Sequence, residues 1–114
     1  MITVERLNEF GADTKDGLER CFGNEELYLK LVGMVTDDAN FDGLAEAIGQ
    51  NDLPKAFECA HALKGVLGNL SLTPVLEPVK EITEHLRSNT EMDYGPLMEE
   101  ILSQKDTLSS MKND

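Results

Sequence analysis

The sequence predicts an all-α fold, an antiparallel four-helix bundle with short N-terminal helical additions. Three observations lead to this prediction. Apolar residues recur at intervals of three and four over stretches of about 10–20 residues. Capping residues and short polar linkers separate these stretches. No stretch alternates between apolar and polar residues as a half-buried strand does. Because helices with one apolar face are stabilised mainly by packing against one another, short loops between them favour a bundle.

The first half of the chain predicts two short helices followed by two longer ones. Thr3 can cap a short helix over residues 1–10, and residues 14–21 form a further one or two turns. Asn24 is predicted to cap the third helix, and Asn40 to cap the fourth. The apolar stripes of the two longer helices comprise Leu27, Tyr28, Leu31, Val32 and Val35, and then Phe41, Leu44, Ala45 and Ile48.

The second half of the chain predicts three longer helices. Asp52 begins the first of them, with Pro54 tolerated in its opening turn. Thr73 begins the second, but Pro78 lacks the N–H of an inner helical position, which predicts a distortion or a later start. The third runs from about residue 94 to residue 111. The inward-facing residues are Leu53, Ala56, Phe57, Ala60, Leu63, Leu67 and Leu70, then Val75, Val79, Ile82 and Leu86, then Leu97, Ile101, Leu108 and Met111. Core or linker positions are expected for Met34, Met92, Met98 and Met111.

Composition limits the function classes. The 114 residues, 40% hydrophobic and 28% charged, fit one globular domain over residues 1–114. No apolar run reaches the roughly 18 residues of a membrane span, and the N-terminus has no apolar signal segment. A net charge of −12 repels nucleic-acid phosphates and anionic lipids. Cys21 and Cys59 have no CxxC or metal-like spacing, which indicates a reducing, cytoplasmic setting. We therefore expect no nucleic acid, no membrane, no metal and no cofactor on this chain.

The acidic charge is distributed unevenly along the chain. Residues 1–51 carry 4 basic and 11 acidic residues, and residues 88–114 carry 2 and 6. The middle segment, residues 52–87, carries 4 basic and 5 acidic residues and is nearly neutral. An anion is therefore repelled least in the segment that contains His61.

One side of the helix predicted over residues 52–70 carries an unusual set of residues. At about 100° per residue, this set lies beside the apolar stripe and is turned towards solvent. The set, named here the histidine strip, comprises His61, Lys64, Gly65 and Gly68. Each glycine costs the helix roughly 1 kcal/mol relative to alanine, and the absent side chains let another backbone approach His61. Lys64 follows His61 by three residues, which brings its ammonium within reach of the ring.

The histidine strip lies in a segment that resembles a known signature. HALKG at residues 61–65, followed by GNL at residues 68–70, is similar to the motif of the histidine-containing phosphotransfer (HPt) domains of bacterial multistep phosphorelays. DGLER at residues 16–20 and LY at residues 27–28 resemble the opening of that family. The resemblance is strongest over residues 13–87.

The resemblance implies a fold, a chemistry and partners. It implies a four-helix bundle with His61 exposed on a central helix as the phosphoacceptor, Lys64 as the residue that stabilises the phosphohistidine, and Gly65 and Gly68 as the surface that a partner approaches. The implied partners are the receiver domain of a response regulator and a hybrid sensor histidine kinase, with Mg²⁺ bound on the receiver. It further implies a monomer that acts as a phosphocarrier and not as an enzyme with its own turnover.

The chain also departs from the family pattern, and two other functions remain open at this point. Ile82-Thr83 stands where the family often places a polar residue near the imidazole, so Thr83, Glu84 and Lys80 are alternatives for orienting the ring. The same strip would serve a non-catalytic helical interaction module that docks a receiver domain or a partner helix without transferring phosphate.

A calcium site is the third interpretation. Asp38, Asn40, Asp42 and Gly43 match the opening of an EF-hand loop. The twelfth position, where such a loop needs a bidentate glutamate, is Gly49. The sequence therefore favours Asn40 as a helix cap over calcium binding.

Overall fold

The regular structure of the chain is entirely helical over residues 1–113, the part that the computed structural model describes. The elements are α1 (Val4–Phe10), α2 (Thr14–Arg20), α3 (Glu25–Val35), α4 (Ala39–Gly49), α5 (Leu53–Asn69), α6 (Thr73–Arg87), α7 (Gly95–Ser110) and a closing 3₁₀ turn (Met111–Asn113). The predicted all-α fold is confirmed.

Helices α4 to α7 form the antiparallel bundle. α5 packs between α4 and α6, and α7 packs on α6. The core between them is aliphatic, and its fully buried members include Leu44, Ala60, Leu63, Leu67, Val75, Val79, Ile82, Ile101 and Leu108. Burial of these side chains supplies the hydrophobic stabilisation of the fold. Because α5 is flanked by two helices, one side of it is buried in the core and the opposite side faces solvent.

The three N-terminal helices dock on the turn between α5 and α6. The hydroxyl of Tyr28, a fully buried residue of α3, donates a hydrogen bond of 2.9 Å to the carbonyl of Leu70. The backbone N–H of Asp13 donates to the carbonyl of Ser71 at 3.0 Å. The Ser71 hydroxyl in turn donates to the carboxylate of Asp16, and this bond holds the pKa of Asp16 below its ordinary value. α1 to α3 therefore close this end of the bundle.

Side-chain caps set the starts of several helices. Thr3, Asn24 and Asp52 cap α1, α3 and α5 as predicted, each accepting a bond from a backbone N–H of the first turn. The prediction that Asn40 caps α4 is wrong. Asp38 is the extended residue and its Oδ1 accepts from the N–H of Asn40 at 2.8 Å, so Asn40 lies inside the helix. Because the residues after Asp38 are helical, they do not form the loop of an EF-hand.

The C-terminal helices also correct details of the prediction. α6 begins at Thr73 with Pro78 inside it, so the alternative of a later start is wrong. In α7 Met98 is buried, and Leu97, predicted to face inward, is half-buried and packs against the core. Lys112, after α7, pairs with Asp37 of the α3–α4 turn at 2.8 Å. This ion pair joins the end of the last helix to the start of the bundle.

Candidate functional site

The outer side of α5 presents the histidine strip to solvent. His61 and Gly65 are exposed, and Lys64 and Gly68 are half-buried. The opposite side of α5 is formed by the buried residues Ala56, Cys59, Ala60, Leu63 and Leu67. Apolar spacing along the helix thus turns His61 outward, because the same rotation that buries the apolar residues carries position 61 away from the core.

Gly65 and Gly68 leave open space beside His61. A Cβ atom built on either glycine has no other described atom within 4 Å, outside its own helical turn. Packing within the chain therefore does not require a glycine at either position. By contrast, a Cβ on Gly17 would lie 2.5 Å from the ring of Tyr28, so that glycine is a packing requirement. The two glycines of the strip maintain an uncovered surface at a cost to helix stability.

The imidazole of His61 stacks on Phe57. The two ring centroids are 5.6 Å apart, with an angle of 18° between the ring planes. Phe57 precedes His61 by four residues on α5, the spacing at which helical side chains meet. Among residues 1–113 no group forms a hydrogen bond with either ring nitrogen of His61. The ring is held by an apolar contact, and its nitrogens remain available to an incoming group.

Two cations and one carboxylate surround this stack. Lys64 Nζ lies 3.8 Å from Oε1 of Glu84, and Nε of Arg87 lies 3.4 Å from Oε2 of the same glutamate. Arg87 also places its Cζ 5.2 Å from the centroid of the Phe57 ring, a cation–π distance. Glu84 thus bridges a cation of α5 and a cation of α6.

The side chains that the sequence offered for orienting the ring have other partners. The buried Thr83 donates its hydroxyl to the carbonyl of Val79 at 2.6 Å. Lys80 pairs with Glu77 at 3.8 Å. Phe57 is the residue that contacts the ring instead. Its spacing of four residues from His61 is a signal that sequence reasoning could have used. Arg87 comes close only through the packing of α6 on α5.

An apolar groove lies beside the strip, between α3 and α5. Its lining includes Leu31, Met34, Val66 and Leu70. Met34 is 59% exposed and Val66 is 37% exposed. The expectation that Met34 lies in the core or in a linker is wrong, because α3 turns this side chain into the groove. Val66 lies about 140° around α5 from His61, so the groove is an exposed apolar surface separate from the histidine.

The family of the chain follows from comparison with known proteins. Residues 35–111 match the Hpt domain, and the matched segment contains the histidine strip and all four bundle helices. The chain belongs to the Hpt domain family. Hpt domains carry phosphoryl groups in phosphorelays, are not catalysts with turnover of their own, and interact there with receiver domains and kinases. The segment at residues 16–28 that resembles the family's opening lies before the matched region. Comparison with curated proteins and with solved structures gave no match.

Two observations concern the Hpt domain as a whole. Of the helices described, none is both long enough and apolar enough to cross a bilayer. Within residues 1–113, no three or more His, Cys, Asp or Glu side chains are grouped so that they could hold a metal ion.

Proposed function

We propose that this Hpt domain is a phosphorelay carrier that accepts a phosphoryl group on His61 and passes it to the aspartate of a receiver domain. The donor in this scheme is another receiver aspartate or a histidine kinase. The observation that supports the proposal is an exposed imidazole on the same side of α5 as an ammonium and two open glycine positions. Neither of its ring nitrogens has a hydrogen-bond partner among residues 1–113.

The chemistry requires a nucleophile that an acyl phosphate can reach. A ring nitrogen of His61 attacks the phosphorus of the aspartyl phosphate, so that an N–P bond forms and the P–O bond to the aspartate breaks. The aspartate leaves as a carboxylate, and the proton of the other ring nitrogen is released. Return of the phosphoryl group to a receiver reverses these steps. Mg²⁺ bound on the receiver would neutralise oxygen charges during both transfers.

Each residue of the strip has a role in this scheme. The Lys64 ammonium pairs with the phosphoryl oxygens once His61 carries them. Gly65 and Gly68 let the receiver bring its aspartate to the ring without a clash. The apolar groove lined by Met34 and Val66 offers further exposed contact area on α3 and α5. The weak charge of residues 52–87 reduces the repulsion that an acidic surface would exert on the phosphoryl group.

The direct test uses both histidines of the chain. A receiver domain loaded with radioactive phosphate is mixed with the wild-type chain, with His61→Gln and with His85→Gln, the matched control on α6. We expect an acid-labile, alkali-stable label on the wild type and on His85→Gln, and none on His61→Gln. Equal labelling of all three proteins would refute His61 as the acceptor. Receiver binding with no label on any of them, across a panel of receivers, would favour an interaction module that transfers nothing.

Lys64 can be tested separately from His61. We expect Lys64→Ala to fold normally and to shorten the lifetime of the phosphohistidine or slow the transfer. Lys80→Ala removes a more exposed ammonium that pairs with Glu77, and we expect it to leave both quantities unchanged. An unchanged lifetime and rate in Lys64→Ala would exclude the role given to this lysine.

A further inference from the structure

We propose that Glu84 limits the lifetime of the phosphohistidine by competing with the phosphoryl group for Lys64 and Arg87. This inference rests on the proposed function, since it concerns the phosphorylated form of His61. The proposal makes Glu84 a positioning residue that acts through the two cations. On this view Glu84 keeps the N–P bond weak enough for the phosphoryl group to pass on to a receiver.

The contacts around His61 support this role. Glu84 uses one carboxylate oxygen for Lys64, at 3.8 Å, and the other for Arg87, at 3.4 Å. Lys64 is one helical turn from His61, and Arg87 lies over the Phe57 ring on which the imidazole stacks. Lys64 and Arg87 therefore already share an anionic partner when the ring carries no phosphoryl group.

The strengths of these pairs permit an exchange of partners. The side chains of Lys64, Arg87 and Glu84 are 35%, 50% and 59% exposed, and ion pairs this accessible contribute at most about 1 kcal/mol. A phosphoryl group carries nearly twice the charge of a carboxylate and offers three acceptor oxygens. The cations can therefore leave Glu84 for the phosphoryl group without a large energetic barrier. Glu84 then remains beside them as an unneutralised anion.

Charge balance explains why this arrangement favours transfer. Two cations alone would neutralise a phosphoryl dianion and stabilise the N–P bond. With Glu84 present the same site retains one net negative charge, which raises the energy of the phosphohistidine relative to the free imidazole. When the phosphoryl group leaves, the N–P bond breaks, the acceptor oxygen forms the new P–O bond, and the cations return to Glu84. The histidine can then take up a proton on one ring nitrogen.

The test loads His61 without any partner protein. Phosphoramidate transfers its phosphoryl group to histidine and releases ammonia, so the half-life of the product can be followed on the isolated chain by phosphorus NMR. We expect Glu84→Gln to lengthen that half-life about two- to fivefold, the range that one exposed charge interaction spans. The matched control is Glu81→Gln, an exposed glutamate of the same helix without an ion pair among residues 1–113. We expect its half-life to stay close to that of the wild type.

Two further measurements separate this mechanism from a general effect on folding or charge. The effect of Glu84→Gln should shrink in added salt, because exposed charges are screened. It should also shrink in a Lys64→Ala background, where one of the two contested cations is absent. A urea melt identifies a variant that does not fold.

The outcomes distinguish this proposal from the proposed function. If phosphoramidate labels the wild type and His61→Gln equally, the role of His61 fails. If His61 is labelled but Glu84→Gln has the half-life of the wild type or of Glu81→Gln, only the competition by Glu84 is overturned. A shorter half-life in folded Glu84→Gln would overturn it as well.

Discussion

Replacing the strip glycines by alanine should stabilise the domain and impair its exchange with a receiver. Neither Gly65 nor Gly68 would place its new Cβ within 4 Å of any other described atom outside the helical turn, so the change has no steric cost. Alanine is favoured over glycine inside a helix by roughly 1 kcal/mol. Each variant should therefore gain about 1 kcal/mol in the free energy of unfolding, and the double variant about 2 kcal/mol. For a domain of this size each step corresponds to roughly 3–6 °C in Tm.

The measurement combines a urea melt with a transfer assay on the same protein samples. Gly33→Ala is the matched control, because its Cβ would make only an ordinary contact of 3.9 Å with Ile2, off the strip. We expect a similar gain in stability in all three single variants, but slower phosphoryl exchange with a receiver only in Gly65→Ala and Gly68→Ala. A loss of stability in Gly65→Ala or Gly68→Ala would contradict the open space that the structure shows at these two positions. Stabilised variants that exchange at the wild-type rate would show that no partner approaches this surface.

Three further changes test the packing and the electrostatics. Tyr28→Phe removes the donor to the Leu70 carbonyl, so we expect a urea melt to show a loss of about 1–2 kcal/mol with exchange intact. Gly17→Ala would force a Cβ against the Tyr28 ring, and overpacking of this kind costs about 1–3 kcal/mol in the same melt. The lowered pKa of Asp16, caused mainly by its bond from Ser71, contributes stability above pH 3.8, its ordinary value, that is lost as the pH falls through the lowered value. In acid titrations followed by circular dichroism, Asp16→Asn should lack this acid-dependent loss, and an identical slope in both proteins would contradict it.

The histidine strip combines an open, exposed surface with a cost to helix stability. The two glycines weaken the central helix of the bundle, and the structure shows no internal packing that needs them. Apolar side chains at Met34 and Val66 are likewise left exposed next to the strip. Sites that sacrifice local stability in this way are typical of functional surfaces.

The sequence by itself determined which way His61 faces. Helical periodicity assigns the core side of α5 to residues such as Ala60 and Leu63, and His61 lies on the other side of the helix, which faces solvent. The caps at Thr3, Asn24 and Asp52 were also predictable, because each acts within one helical turn of its own position. The cap of α4 was not, since aspartate and asparagine cap about equally well and Asp38 stands two residues before Asn40.

Only the tertiary structure decided what surrounds the imidazole. Arg87 and Glu84 lie at least twenty residues along the chain from His61 and Lys64, and their approach depends on the rotation and height at which α6 packs on α5. A shift of one residue in that packing would move Glu84 by about 100° around its helix and separate it from Lys64. Local spacing determines which side chains lie on one surface of a helix. Contacts between helices are set by the packing of the whole core. For this reason Glu84 could be named as a candidate from the sequence, but its pairing with Lys64 could be placed only by the fold.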